Sequence, residues 1–388
     1  MENVVFVGYL CYSGIVYLIS TAMRVCPVDE TKIVFSNMKG KRYGDNPMYI
    51  LEILQKKRPE YKYVWLLNRG VKVELPDGVC KKGEGLFSKL YELSTAKVWV
   101  DSNTKEYGTY KRREQFFVQT WHGSYGLKKN GFNMGDRLSK IDQILYPYNS
   151  SIQDLGIANS DRQEALYRSE YRYYGKMLKC GSPRNDVFLR EDNSDIIKKV
   201  HAHFGIKGKR VILYAPTFRQ NRSMHFLRMD FRRVLSEMKK ATGDEWVTLV
   251  RFHPQNIDDA KKIIYTDRII NATNYSIMQE LLVAADVLIT DYSSCMFDFI
   301  TVPKPCFIFA PDLEEYERDR GNYYRMEELP FPLARNNEEL AENIMSFDME
   351  EYTKKVYDLH ERVGLCETGH ASEAVADCII DFIENGNR

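Results

Sequence analysis

Four short polar clusters each close an apolar run: Trp121-His122-Gly123, Pro216-Thr217-Phe218-Arg219, Arg251-Phe252-His253-Pro254 and Thr290-Asp291-Tyr292-Ser293-Ser294. The last is the most informative. Thr290-Asp291 ends a buried-strand pattern, and Ser293-Ser294 opens a helical one. Free backbone N–H groups at a helix start, with two hydroxyls, make an anion cradle, although Asp or Ser before a helix is also an ordinary cap. Arg219 and Arg251 carry guanidinium groups suited to a two-pronged grip on phosphate oxygens, and His253 can donate when protonated. His122 is flanked by a glycine that lets a ligand approach the backbone, with Lys128 and Lys129 supplying charge nearby. An imidazole titrates near working pH, so His122 is a candidate general base. A packing histidine beside Trp121 is the plainer alternative.

These clusters recur at the ends of strand-like runs. Strands are expected at 32–37, 63–68, 97–103, 116–123, 143–147 and 155–160, with amphipathic helical spacing between them. Ser160 is a good N-cap for a helix that follows it. A second series begins after Gly181-Ser182-Pro183-Arg184-Asn185-Asp186, with strands at 210–218, 247–254, 268–273, 287–294 and 305–312. Alternating strands and helices imply parallel sheets, and ligands bind at the carboxyl ends of such strands. The expected division is 1–24, 25–185 and 186–388, with a helical tail from Glu338.

Composition narrows the function. Against 54 acidic side chains stand 55 basic ones, for a net charge of +1, which excludes a generally basic nucleic-acid coat. With 44% hydrophobic and 13% aromatic residues the chain is folded. The eight cysteines form no CxxC pair and match no zinc spacing, so they read as reduced thiols. His201-x-His203 lacks a third ligand nearby, and no metal site is expected. No P-loop, HExxH, GxSxG or GxGxxG after the first strand occurs, which removes the simplest kinase, zinc-protease, lipase and dehydrogenase readings. Residues 3–22 carry no charge, and their length could reach across a bilayer, lie on one or fill a core. Arg24 after this segment favours a cytoplasmic body.

The set Phe35–Ile50, Thr120–Lys129, Gly181–Phe188, Ile212–Arg219, Arg251–Pro254 and Ile289–Phe299, in this order, resembles the CDP-glycerol glycerophosphotransferase family of teichoic-acid and capsule synthesis. The resemblance implies an α/β, GT-B-like fold of two Rossmann-type domains with a cleft between them, an acceptor domain first and a CDP-donor domain second. It implies attack of an acceptor hydroxyl on the β-phosphorus of a CDP-alditol, CDP-glycerol or CDP-ribitol, releasing CMP. His122 would be the base. His253, also catalytic, would hold the diphosphate with Arg219, Arg251, Thr217, Thr290, Ser293, Ser294 and Lys128, while Asp291 shapes the loop. Lys128 stands one residue later than in the family pattern, after Ser124-Tyr125-Gly126. The expected partners are the donor, a lipid-linked or oligosaccharide acceptor and the cytoplasmic membrane surface, with peripheral attachment, no nucleic acid and no resident cofactor. Without the extra domains of long polymerases, a short family member is expected. A GT-B nucleotide-sugar glycosyltransferase and a non-catalytic, membrane-attached subunit of a polysaccharide assembly complex are the alternatives.

Overall fold

A computed structural model describes residues 2–124, 126–217, 228–252 and 260–386, save the side chains of 317–320. Arg219 and His253 therefore lie outside the described residues. The chain forms two compact units, one of residues 1–123, 130–186 and 366–388, the other of 124–129 and 187–365.

The first unit is built on β1 (Asp29–Ser36), β2 (Lys62–Leu67), β3 (Val79–Gly83), β4 (Ala96–Asp101), β5 (Phe116–Gln119), β6 (Leu155–Ala158) and β7 (Lys176–Lys179). They pair in the order β3-β2-β1-β4-β5-β6-β7, all parallel. Its helices are α1 (Glu2–Ala22), α2 (Asp45–Lys57), α3 (Leu86–Thr95), α4 (Lys140–Ile152) and α5 (Asp161–Tyr171). Strand residues such as Ile33, Phe35, Trp65, Val98, Val100 and Val118 are fully buried. Continuous apolar runs of this kind are what a sheet covered on both faces requires. Ser160 caps α5 as expected, accepting from Gln163 N at 3.1 Å.

The second unit holds α6 (Ser194–Phe204), β8 (Arg210–Tyr214), α7 (Phe231–Thr242), β9 (Trp246–Val250), β10 (Ile269–Asn271), α8 (Met278–Ala284) and β11 (Val287–Thr290). It continues through α9 (Cys295–Phe299), β12 (Cys306–Phe309), α10 (Leu313–Arg320), β13 (Leu333–Ala334), α11 (Asn337–Met345) and α12 (Met349–Val363). The strand order is β10-β9-β8-β11-β12-β13, again parallel throughout. In each unit the order turns back once, between β1 and β4 and between β8 and β11. At such a reversal the two flanking loops part and leave a crevice at the carboxyl edge of the sheet.

Three sequence expectations change. Residues 143–147 are helix, not strand: Ser139 caps α4 by accepting from Asp142 N at 3.1 Å, and the helix runs through Pro147. Strands β3 and β7 went unforeseen because they are sheet edges, largely exposed and rich in lysine, with no apolar run to mark them. The last helix, α13 (Ala371–Asn385), belongs to the first unit rather than to a domain running to 388. Asp186 caps it, accepting from Ala371 N at 2.9 Å and Ser372 N at 2.7 Å. Lys57 of α2 pairs with its Glu373 and Asp377, and the Phe116 and Phe382 rings stack at 4.7 Å. His201 and His203 stand two residues apart on α6, where side chains do not face each other, and the His203 ring packs on Phe204 and Tyr275.

Helix α1 is long and apolar enough to cross a membrane. A narrow seam of Ser13, Val16 and Ser20 is buried against the first unit. Ser20 Oγ donates to Gly108 O at 3.1 Å and accepts from Tyr110 N at 3.2 Å. Gly108 sits at φ +95°, and a Cβ there would lie 2.5 Å from Ser13 O. Gly108→Ala is therefore expected to unseat α1, with strain of about 1–3 kcal/mol and faster proteolytic cleavage within residues 2–25. Unchanged cleavage rates would show that the contact does not hold the helix.

Candidate active site

In the first unit the crevice between β1 and β4 is closed by polar side chains. Ser102, following β4, donates from Oγ to Asn37 Oδ1 at 2.7 Å and accepts from Met38 N at 3.1 Å. Its carbonyl lies 3.0 Å from His122 Nδ1. A carbonyl only accepts, so Nδ1 carries the hydrogen and the neutral ring presents Nε2 as its base. Burial pushes the His122 pKa below the ordinary 6.5, an effect that the nearby Asp45 carboxylate opposes. The neutral form is thereby favoured.

The turn that carries this ring is strained. Trp121 has φ +50°, a left-handed conformation costly for a bulky residue. Three groups hold it. Asn46, at the start of α2 and 2% exposed, donates from Nδ2 to Thr120 O and Trp121 O, both at 3.2 Å. Arg184, 3% exposed, donates from Nη1 to His122 O at 2.8 Å and to Asp45 Oδ1 at 2.9 Å. Its backbone N–H reaches Asn46 Oδ1 at 3.1 Å. Gln163 Nε2 donates to Gly123 O at 2.9 Å. The Trp121 ring lies against His122 at 4.9 Å and Tyr171 at 4.5 Å. Buried hydrogen bonds contribute about 1 kcal/mol each, so together they are of the right size to offset the strain.

In the second unit, Thr217, Arg251 and Asp291 follow the adjacent strands β8, β9 and β11, so the fold brings these predicted residues to one sheet edge. Asp291, 1% exposed, accepts on Oδ1 from Thr217 N at 2.8 Å and Tyr292 N at 2.6 Å. It joins the two loops of the reversal point. Thr290 is fully buried and its hydroxyl donates to Ala215 O at 2.7 Å, which places it in the scaffold. Ser293 and Ser294 are half-buried at the start of α9, a helix of only five residues. Its dipole is small, so what this helix start offers an anion is hydroxyls and backbone N–H groups. The Arg251 guanidinium contacts Met278 Sδ at 2.7 Å and Tyr275 O at 3.3 Å.

Lys128 belongs to this second unit, not to the one that carries His122. Residues 127–129 run antiparallel to 321–323, Tyr323 N donating to Leu127 O at 2.9 Å. The Lys128 ammonium lies 5.5 Å from the centre of the Tyr316 ring, which stacks at 3.6 Å on Tyr292 beside Asp291. Reasoning from sequence missed Asp45, Asn46, Ser102 and Arg184. For Asp45, Asn46 and Arg184 the one signal was charged and amide residues in the Gly44–Tyr49 and Ser182–Asp186 runs with no stated task; Ser102, whose carbonyl is what acts, had none.

The family model described as CDP-glycerol:poly(glycerophosphate) glycerophosphotransferase matches residues 18–381. A teichoic acid poly(glycerol phosphate) polymerase of Staphylococcus epidermidis is 30% identical over 371 residues, 91% of this chain and 51% of that one. The chain thus spans about half the length of that polymerase and of its Bacillus subtilis counterpart. A teichoic acid ribitol-phosphate primase of Bacillus spizizenii is 28% identical over 393 residues, 96% of each chain. Among solved structures, the wall teichoic acid polymerase TagF matches with TM-score 0.83 at 28% identity, covering 95% of this chain and 94% of that one. TagF has also been solved as a histidine-to-asparagine variant soaked with CDPG.

The environment of His122 can be read by NMR titration of its ring protons. The midpoint is expected below 6.5. Arg184→Met should raise it, because a cation leaves and Asp45 faces the ring uncompensated. An unmoved midpoint would separate Arg184 from the imidazole.

Proposed function

This chain belongs to the CDP-glycerol:poly(glycerophosphate) glycerophosphotransferase family, and on that footing we propose that it moves an alditol phosphate from a CDP-alditol to an acceptor hydroxyl of a teichoic-acid-type glycan. The observation that carries this reading is the His122–Ser102 hydrogen bond, which leaves Nε2 basic at the carboxyl edge of the first sheet. The acceptor oxygen attacks the β-phosphorus, its proton passes to His122 Nε2, and the phosphoanhydride bond to CMP breaks. A new phosphodiester and free CMP result. Because burial disfavours the imidazolium, the base is competent down to a pH below 6.5.

The donor diphosphate is assigned to the second unit, at Thr217, Arg251, Ser293 and Ser294, with Asp291 and Thr290 holding the loops and Lys128 adding positive charge. Arg219 and His253, outside the described residues, keep their proposed place with this group. The CDPG-soaked polymerase supports a cytidine-diphosphate donor.

Helix α1 supports peripheral attachment to a membrane. With its seam on the protein, the helix lies along the first unit and turns Val4, Val7, Ile15 and Leu18 outward, Val4 77% and Leu18 68% exposed. An apolar face of this kind enters the headgroup boundary of a bilayer without crossing it. The proposed location is the cytoplasmic face of the membrane.

Two measurements test these assignments. Incubated with CDP-glycerol or CDP-ribitol and a phosphate-bearing acceptor, the protein should release CMP, and His122→Ala should slow turnover by about 10²–10⁴-fold with donor affinity kept. The acid limb of the wild-type rate should fall below pH 6.5. Release of UDP or GDP from sugar nucleotides instead would mark a glycosyltransferase. In flotation with anionic vesicles, the full chain should rise with lipid and the V4E/L18E double variant should not, at equal thermal stability. A wild-type protein that stays at the bottom of the gradient rules out membrane docking by α1.

A further inference from the structure

The loop after β1 reads Lys39-Gly40-Lys41-Arg42, and the loop after β2 contains Arg69. Lys39, Lys41 and Arg69 are exposed and Arg42 half-buried. Among the described residues none of the four meets a carboxylate. Other cations of the same unit do: Lys57 with Asp377, Arg58 with Glu384, Lys62 with Asp29 and Lys179 with Asp161.

The backbone of this loop is set for the purpose. Met38, Lys39 and Gly40 have φ of 49°, 55° and 71°, three consecutive left-handed residues. Such strain persists where the surroundings enforce it, and it clusters at functional sites. The Lys39 and Gly40 carbonyls accept from Asn68 Nδ2 at 2.9 Å and Asn68 N at 2.8 Å. Two oxygens that would repel an anion are thereby bonded to Asn68, the residue that precedes Arg69. The acids nearby do not cancel the charge. Asp45 is held by Arg184. Glu84, packed against Gly40, is raised by burial to about 7 and is only part-ionised near neutrality.

Strands β2, β1, β4 and β5 are consecutive neighbours, so the cations and His122 share one sheet edge. Three strand spacings place the β2 loop roughly 14 Å from the β5 loop. Arg42 is near enough for its charge to act on His122.

We propose that Lys39, Lys41, Arg42 and Arg69 form a binding site for the phosphodiester backbone of a polyanionic acceptor, holding phosphates behind the hydroxyl that reacts. The assignment of that hydroxyl to His122 rests on the transferase reading above; the anion site itself does not require turnover. Lysine and arginine give charge-assisted bonds to phosphate oxygens, and a row of them tolerates different register along a repeating chain. The same edge would receive the product of one addition as the acceptor of the next.

The test uses the full chain and a fluorescently labelled tri(glycerol phosphate), read by anisotropy. Binding is expected, weakened at least tenfold by the K41Q/R42Q/R69Q variant and by 0.5 M NaCl, and retained in His122→Ala. A phosphate-free glycerol oligomer with the same label should not bind. If the triple variant does not fold, Lys39→Asn, which suits a left-handed φ, combined with Arg69→Gln takes its place. Equal affinity in wild type and variant, or no binding by wild type, overturns the proposal. Loss of binding in the variant alongside a wild type that releases no CMP would instead sustain the anion site and reject the transferase reading.

Discussion

One hydrogen bond sets the terms of the first unit: His122 Nδ1 to the carbonyl of Ser102. It chooses the tautomer, and it ties the end of β5 to the end of β4. Nothing around it is idle. Ser102 Oγ reaches back to Asn37 after β1, Asn46 reaches forward from α2 to Thr120 and Trp121, and Arg184 grips the carbonyl of His122 itself. Five separate chain segments must be in place before the imidazole has its orientation. A strained Trp121 is tolerable only because these donors over-determine the turn.

The second unit solves a similar problem with one carboxylate. Asp291 sits where the strand order reverses and satisfies N–H groups from both flanking loops. A buried carboxylate is costly without such donors. With them it fixes the spacing of the β8 and β11 loops and leaves Ser293 and Ser294 at the half-buried margin. In each unit deeply buried polar groups fix the shape of the loops, while His122 and the Ser293-Ser294 pair stay half-buried.

Most of this was visible in the amino-acid order, for a physical reason. Parallel strands buried on both faces are written as apolar runs, and what ends them is written as a break in polarity, so His122, Thr217, Arg251 and Asp291 declared themselves. The two exposed, lysine-rich edges of the first sheet carry no such mark, so Val79–Gly83 and Lys176–Lys179 do not show in the sequence. The run Gln143-Ile144-Leu145-Tyr146-Pro147 fails differently: five residues cannot separate a strand from a short stretch of helix, and the deciding cap, Ser139, lies outside it. Asn46 and Arg184 were beyond reach because their partners are carbonyls, which every residue possesses. Lys128 is expected both as charge near His122 and with the diphosphate-holding residues, and the chain changes units after His122 so that it falls with the latter.

The last helix also bears on how the protein is made. Asp186 has no partner for its carboxylate until Ala371 and Ser372 exist, and Phe116 no stacking ring until Phe382 does. Residues 187–365 are synthesised in between and hold a complete sheet and core of their own. On the ribosome, the unit that starts first is therefore the one that finishes last. The nascent first sheet waits with the flank that α13 will cover still apolar and open, through the translation of the whole inserted unit. Chaperone dependence and truncation damage should concentrate there, although every residue of the crevice has already left the exit tunnel.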